Sequence, residues 1–325
     1  MNPFTENESE SIASLGESKL ISLLASDLAD ATPPAPHGIG DDCAVISPPS
    51  SEFQQIVTTD PVTYGQHFDD SLSPEQTAGK LLKRNLSDIA AMGGLPDSAV
   101  IALTLPKRTS IDWIRRFYKE IGKLSQRYKM QIVGGDLSTT STDLSAHLTL
   151  IGIVSKNRIL LRNWVTPNCT LYVTGTLGGS ILQKHYAFEP RLAEGQWLAR
   201  QSEVVSCMDL SDGLGKDLPS ILSSDASVTI NTQALPISTD AEAIAKRSNR
   251  STLHHAINDG EDFELLFALS PTANLESFEK RWKAQFETPI ARIGRTFELT
   301  EDSPIRIALV NTDEKVEIRG YEHLR

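Results

Sequence analysis

Apolar residues in this chain recur first at helical and then at strand spacing. Between residues 9 and 29, Ile12, Leu15, Leu20, Ile21, Leu23, Leu24 and Leu28 fall among acids and serines with a helical period. The Pro-rich turn Thr32-Pro33-Pro34-Ala35-Pro36 closes that stretch. Cys43-Ala44-Val45-Ile46 and Gln55-Ile56-Val57-Thr58-Thr59 read as strands, which sets Asp42 and Asp60 at strand ends. Ser73-Pro74-Glu75 opens a helix, with Ser as N-cap and Pro at the first helical position, and Gly93-Gly94 stops it after Met92. Leu81, Leu82, Leu86, Ile89 and Ala90 form its apolar face. Lys80, Arg84 and Asp88 recur every four residues on another, where the plain reading is a solvated Arg84–Asp88 ion pair.

A strand over Ala99–Leu105, a helix over Ile111–Tyr128, a short strand over Met130–Val133 closed by Gly134-Gly135-Asp136, and a strand over His147–Val154 complete the first half. The pattern lapses around Ser155-Lys156-Asn157. Beyond it the spacing predicts strands over Leu171–Thr174, Val204–Asp209, Ser227–Asn231, Phe263–Leu269, Ile290–Ile293 and Ile305–Val310. A helix is expected over Arg191–Gln201 and another after Ser211-Asp212-Gly213-Leu214, with Ser211 or Asp212 as its cap. This alternation predicts a two-domain α+β or α/β chain, divided into residues 1–155 and 156–325.

The chain has 325 residues, 39% of them apolar and 22% charged, which suits a globular protein with a sizeable core. No apolar run is long enough to span a membrane, and the N-terminus lacks a signal-peptide pattern, so a cytoplasmic protein is expected. Cys43, Cys169 and Cys207 show no metal-binding spacing and read as thiols in a reducing compartment. A net charge of −11 repels a nucleic-acid backbone. It still permits polyphosphate binding where metal ions reverse the local sign.

The acidic residues change the picture further. They cluster in islands far apart in the chain: Gly40-Asp41-Asp42, Thr58-Thr59-Asp60, Ser87-Asp88, Gly134-Gly135-Asp136, Asp209-Leu210-Ser211-Asp212 and Gly260-Glu261-Asp262. Any one of them alone reads as a cap or a turn. As a set they point to carboxylates gathered around hard cations, since Mg²⁺ takes oxygen ligands and shares them with phosphates. A Walker loop, the kinase His-Arg-Asp and Asp-Phe-Gly signatures, a full dinucleotide fingerprint and a Gly-x-Ser-x-Gly elbow are all missing. His67, in a polar loop, is either solvated or a ligand contact. Arg162 is either a surface arginine or a phosphate clamp. Tyr118 shares a helix face with Trp113, Ile114 and Phe117, a core-edge position.

Taken in order, these motifs resemble the thiamine-monophosphate kinase family, within the aminoimidazole-ribonucleotide synthetase-like superfamily. The matching stretches are Gly38-Ile39-Gly40-Asp41-Asp42-Cys43-Ala44, Thr58-Thr59-Asp60, His67-Phe68, Asn85-Leu86-Ser87-Asp88 with Ile89-Ala90-Ala91-Met92-Gly93, and Gly134-Gly135-Asp136. They continue through Val173-Thr174-Gly175-Thr176, Asp209-Leu210-Ser211-Asp212-Gly213-Leu214, Gly260-Glu261-Asp262-Phe263-Glu264-Leu265 and Gly320-Tyr321-Glu322-His323. The resemblance covers nearly the whole chain. It implies direct in-line transfer of the ATP γ-phosphate to thiamine monophosphate with several Mg²⁺ ions and no phosphoenzyme. It implies metal positions at Asp42, Thr58, Thr59, Asp60, Asp88, Asp136, Asp209 and Asp212, and nucleotide positions at Tyr118, Gly135, Asp136, Arg162 and Ser211. Substrate positions fall on His67, Glu261 and Tyr321. It further implies a homodimer whose N-terminal halves share a β-barrel, with a C-terminal α/β domain closing over each cleft.

Three departures from the family pattern stand out: a shortened segment after Gly178-Gly179-Ser180, Asp259 where relatives often carry Gly, and Leu324-Arg325 where an aromatic is common. The competing readings are another ATP-using enzyme of the superfamily and a non-catalytic Mg-nucleotide-binding dimer. The first is disfavoured because no reactive Cys occupies an N-terminal Gly-rich loop or the C-terminus. The second would keep the metal islands and lose acceptor-side residues, yet His67 and Glu261 are both present.

Overall fold

A computed structural model of the chain describes residues 1–15, 17–34, 37, 39, 49–162, 164–300 and 306–319, with only the backbone of 17 and 18. Asp42, Tyr321 and the strand expected over Cys43–Ile46 lie outside the described residues. The chain divides into two units. One comprises Met1–Ile89 and Leu95–Lys156, the other Ala90–Gly94 and Asn157–Arg325.

The first unit contains α1 (Glu17–Leu28), β1 (Phe53–Thr63), α2 (Pro74–Ala91), β2 (Leu95–Pro106), α3 (Ile111–Tyr128), β3 (Gln131–Thr140) and β4 (Ser145–Ser155). Its sheet runs β1-β4-β2-β3, with β4 antiparallel to both neighbours and β3 parallel to β2. The apolar period of α3 sets its bounds, and Ser110 caps it by accepting the Trp113 N–H. A capping box starts α2: Ser73 Oγ accepts the Gln76 N–H at 3.2 Å, and Gln76 Oε1 accepts the Ser73 N–H at 2.8 Å. The first predicted helix is interrupted, because two 3₁₀ turns, Glu8–Glu10 and Ile12–Ser14, precede α1.

Two strands run past their expected ends. β1 continues beyond Thr59, so Asp60 is a mid-strand residue opposite Leu148 and not a strand terminus. Pro61 is tolerated there because β1 lies at the edge of the sheet among the described strands and needs fewer N–H donors. β3 likewise passes straight through Gly134-Gly135-Asp136, which sequence alone reads as a turn. The glycine marks a close backbone approach instead: a Cβ on Gly135 would lie 2.1 Å from the Ile101 carbonyl oxygen.

Strand alternation divides this sheet into two faces. Thr58, Asp60 and Val62 align with Leu150, Leu148 and Ala146 on β4 and with Ala99, Ile101 and Leu103 on β2, and this face is largely buried. Val57 and Thr59 align on the other face with Ile151, Thr149 and Val100, followed by His147, Ala102 and Asp136. Val57 there is 65% exposed.

The second unit contains β5 (Thr170–Thr174), α4 (Lys184–Ala187), α5 (Leu192–Ala199), β6 (Val204–Asp209), α6 (Leu214–Ile221), β7 (Ala226–Asn231), α7 (Thr239–Ser248), α8 (Thr252–Asn258), β8 (Leu265–Leu269), α9 (Leu275–Gln285), β9 (Ile290–Glu298) and β10 (Ile307–Val310). The sheet order is β10-β7-β9-β5-β8-β6, antiparallel except for β10 beside β7. Both faces are covered, so its central strands read as continuous apolar runs. Val173, Met208 and Leu266 join one core with Leu214, Leu218 and Ala256. Tyr172, Cys207 and Phe267 join the other with Leu198, Phe278 and Trp282. Pattern reading missed α7 and α9 because their buried stripes are short, Ala241 alone on α7 and Phe278 and Trp282 on α9, and missed α8 because it has only seven residues. Among the described residues no helix is long and apolar enough to cross a membrane. Cys169 and Cys207 are buried and free.

Candidate active site

In the first unit the buried sheet face and α2 build a polar cluster. Thr58 Oγ1 donates to Asp88 Oδ2. The Asp60 N–H donates to Asn85 Oδ1 at 3.0 Å. Arg84 Nη1 donates to the Pro61 carbonyl at 2.9 Å, and its Nη2 faces Asp60 Oδ1 at 3.5 Å. One turn earlier, Lys80 Nζ donates to the His67 carbonyl at 2.9 Å. The four-residue recurrence on α2 is therefore not a solvated stripe: Lys80 is 1% and Arg84 8% exposed. The burial cost of these cations is offset by carbonyl and carboxylate partners on β1 and the loop that follows it.

Thr58, Asp60 and Asp88 are thus brought together, whereas strand parity puts Thr59 and Asp136 on the opposite face. Thr59 Oγ1 accepts from Thr149 Oγ1 at 3.1 Å, and Asp136 is exposed beside exposed Gly135. His67 is half-buried, and its Nδ1 accepts the Thr63 N–H at 3.1 Å, which fixes the ring on the turn. Tyr118 is buried beside Phe117, with ring centroids 5.9 Å apart, and burial pushes its phenol up. It is part of the first unit's core.

Among the described residues no group of three or more His, Cys, Asp or Glu side chains is gathered as a ready-made metal cage. The donors at Thr58, Asp60 and Asp88 are nevertheless all hard oxygens, and one or two carboxylates completed by phosphates are what Mg²⁺ normally takes. The donor set fits that ion.

In the second unit, the Asp-Leu-Ser-Asp and Gly-Glu-Asp islands are zipped together through their backbones. The Leu210 N–H donates to the Glu264 carbonyl at 2.9 Å, Phe263 N–H to Leu210 at 2.8 Å, and Glu261 N–H to Ser211 at 2.7 Å. Asp209, the last residue of β6, is buried opposite Leu265. Neither Ser211 nor Asp212 caps α6. Its N-cap is Gly213, and Asp212 Oδ2 instead meets Lys216 Nζ at 2.8 Å. The Asp212 N–H donates to Asp217 Oδ2 at 2.9 Å, so a side chain of α6 reaches back to the residues before the helix. Glu261 is half-buried at φ +62°, its Oε2 3.6 Å from His185 Nδ1. Arg162 is exposed and follows Leu161, whose carbonyl accepts from Ser206 Oγ at 2.6 Å and the Cys207 N–H at 3.3 Å.

Beneath this loop lies a charged network that pattern reading did not single out. Glu264 accepts from Arg191 Nε at 2.7 Å and Nη2 at 2.8 Å, and from Thr174 Oγ1 at 2.7 Å, with Lys184 Nζ 2.9 Å away. Burial acts to raise its carboxyl, but Arg191 and Lys184 outweigh it and hold the group below its ordinary range. Gly175, at φ +58°, makes room for it: a Cβ there would sit 2.0 Å from Glu264 Oε1. The available signal was Glu264 itself, inside the same sequence island; Arg191 and Lys184 carry none.

Asp262 is fully buried, and both its oxygens accept the Gly178 N–H, at 2.9 and 3.1 Å. Burial pushes its carboxyl from 3.8 up to about 7. Between those values the folded form holds a proton that the unfolded chain has released, so this group's contribution to stability falls as pH rises from 3.8 to about 7 and is flat above. Asp262→Asn keeps an acceptor for Gly178 and removes that slope. Chemical denaturation across pH 4–8 checks it, and an unchanged pH profile in the variant contradicts it.

Residues 40–154 match the family model for AIR synthase related protein, N-terminal domain. The chain is 37% identical over 268 residues to the thiamine-monophosphate kinase of Rhodopirellula baltica, covering 79% of this chain and 82% of that protein. The chain belongs to the thiamine-monophosphate kinase family. It is accordingly a thiamine-phosphate kinase, an ATP-binding transferase. Its fold matches the crystal structure of the thiamine-monophosphate kinase from Stenotrophomonas maltophilia with a TM-score of 0.75 at 26% identity, covering 91% of this chain and 96% of that one. It also matches AaThiL complexed with AMPPCP and TMP, with a TM-score of 0.71 at 26% identity over 96% and 98% of the two chains.

Proposed function

We propose that the protein transfers the γ-phosphate of ATP directly, in line, to the phosphate of thiamine monophosphate with several Mg²⁺ ions, forming thiamine diphosphate and ADP. The observation that carries this reading is the Thr58–Asp60–Asp88 group, oxygen donors held in place by buried Asn85 and Arg84. Such a group suits a reaction in which the protein does no covalent work and supplies position and charge neutralisation. Asp42, Thr59 and Asp136 in the residues 1–155 domain and Asp209 and Asp212 in the 156–325 domain complete the proposed metal positions. Bound Mg²⁺ would neutralise the charge spreading over the transferred group. Gly135, Asp136, Arg162 and Ser211 are assigned to the nucleotide side, with Tyr118, buried in the core, as the remaining nucleotide assignment. His67, Glu261 and Tyr321 are assigned to the acceptor.

The active form is proposed to be a homodimer with a barrel shared between N-terminal domains. Exposed Val57 and Val100 on the open sheet face, with Ala102 and Ile151 on the same face, supply apolar surface for that closure.

Purified protein with Mg-ATP is expected to convert thiamine monophosphate to the diphosphate, read by chromatography of the products. ATP binding without product identifies a nucleotide-binding module. Turnover only with an aminoimidazole precursor identifies a sister enzyme.

A further inference from the structure

Outside the residues already assigned, the second unit holds a chain of three hydrogen-bonded side chains. Ser248 Oγ lies 2.7 Å from His255 Nε2, and His255 Nδ1 lies 3.0 and 3.1 Å from the two oxygens of Asp259. A carboxylate oxygen accepts, so His255 Nδ1–H donates to Asp259 and the other ring nitrogen, Nε2, faces the Ser248 hydroxyl. The same Asp259 carboxylate accepts the Gly179 N–H at 2.8 Å. His255 is buried, and Ser248 ends α7 while His255 lies in the last turn of α8. The chain thus ties two helix ends to the Gly178-Gly179 turn.

The arrangement resembles a nucleophile relay in composition, but its geometry serves another purpose. The Gly179 N–H, the donor that an oxyanion would need, is spent on Asp259. What the tie does hold is the loop that follows. Asp259 and Asp262 grip the successive N–H groups of Gly179 and Gly178, and Ser180 Oγ donates to the Gly260 carbonyl between them. Glu261 stands at the crest of this clamped segment, in the left-handed region at φ +62°, a conformation a non-glycine residue keeps only when its surroundings impose it. Asp259 itself has φ −70° and ψ 134°, so it sits in the turn without strain and adds a carboxylate to it.

We infer that Asp259, oriented by His255 and Ser248, is a positioning residue that sets Glu261 for the acceptor substrate. The inference deepens the proposed reading of Glu261 as an acceptor-side residue and rests on it for the kinetic arm of its test.

Asp259→Ala is expected to raise KM for thiamine monophosphate about tenfold, the lower end of what a charge-assisted hydrogen bond is worth. KM for ATP and kcat should stay within about twofold, the signature of lost binding and not of lost transition-state contact. Asp259→Asn, which keeps one acceptor oxygen, should recover most of the loss, and Ser248→Ala should fall between. A second arm needs no turnover: hydrogen exchange in the Asp259→Ala protein should quicken at the Gly179 and Glu261 amides while the β5 and β8 amides stay protected. Parallel loss of both KM values and kcat, or unchanged exchange at Gly179 and Glu261, overturns the inference. Wild-type protein that shows no turnover on thiamine monophosphate sinks the proposed function instead, and the exchange arm then decides the positioning role alone.

Discussion

Asp88→Asn lowers kcat/KM for the thiamine monophosphate reaction by about a thousandfold, or ~4 kcal/mol of transition-state stabilisation, while the protein melts within a few degrees of wild type. The asymmetry follows from the contacts. Asp88 is half-buried and accepts the Thr58 hydroxyl, and asparagine's amide oxygen can accept the same hydrogen bond in the same space. What is lost is the negative charge, which matters little to a neutral hydroxyl and greatly to a cation between phosphates. Asp60→Asn provides the contrast. It should lose comparable activity and also cost stability, since Arg84 is 8% exposed and its Nη2 would lose the Asp60 charge while Nη1 keeps the Pro61 carbonyl. That penalty is about 1–3 kcal/mol. Steady-state kinetics beside thermal melts separate the two effects. An Asp88→Asn protein that melts early yet turns over normally when folded would make Asp88 a packing residue and remove it from the site.

Arg191→Met destabilises the second unit by about 3 kcal/mol, the lower edge of what breaking a buried ion pair costs. Glu264 is 1% exposed and takes two of its hydrogen bonds from the Arg191 guanidinium. Without arginine it keeps Thr174 Oγ1 at 2.7 Å and Lys184 Nζ at 2.9 Å, which is why the loss stays at that edge. For a unit of this size the corresponding fall in melting temperature is about 6–12 °C. The paired substitution Arg191→Met with Glu264→Gln should recover at least half of it, because the penalty is mostly that of an orphaned buried charge and not of a missing attraction. Urea unfolding of the single and double variants checks this. A double variant less stable than the Arg191→Met single would show that the pair stabilises the fold outright. The same substitution should loosen the Gly260–Glu264 segment, since Glu264 anchors its C-terminal end through the carbonyl that receives Leu210.

The strongly periodic elements were legible in the residue pattern. The bounds of α3 and β6 coincide with their apolar runs, and Ser73-Pro74 marks the start of α2 because capping is a local interaction between residues three apart. Thr-Thr-Asp and Gly-Gly-Asp read as strand ends because polar and glycine residues usually mark them, but β1 and β3 run on because partner strands β4 and β2 continue to pair with them. Asp212 was read as a cap because the residue before a helix usually caps it. Here Gly213 takes that position, and Asp212 instead meets Asp217 and Lys216 of α6 through its N–H and its carboxylate.

Sequence by itself determined the family, the mixed α/β character and the acidic islands, since these reside in residue identity and in spacing along the chain. Only the tertiary structure decided which members of the islands meet. Strand parity, a property of pairing across distant segments, turned Thr58 and Asp60 toward Asp88 and turned Thr59 and Asp136 to the opposite face. Burial did the rest. Lys80 and Arg84, which look like a solvated stripe at a four-residue repeat, become buried supports for β1 and the loop that follows it. Asp259, which looks like a departure from its relatives, becomes the anchor of a clamped loop. A residue's neighbours in the chain cannot specify these roles, because the hydrogen-bond partners that define them lie 13 to 80 residues away.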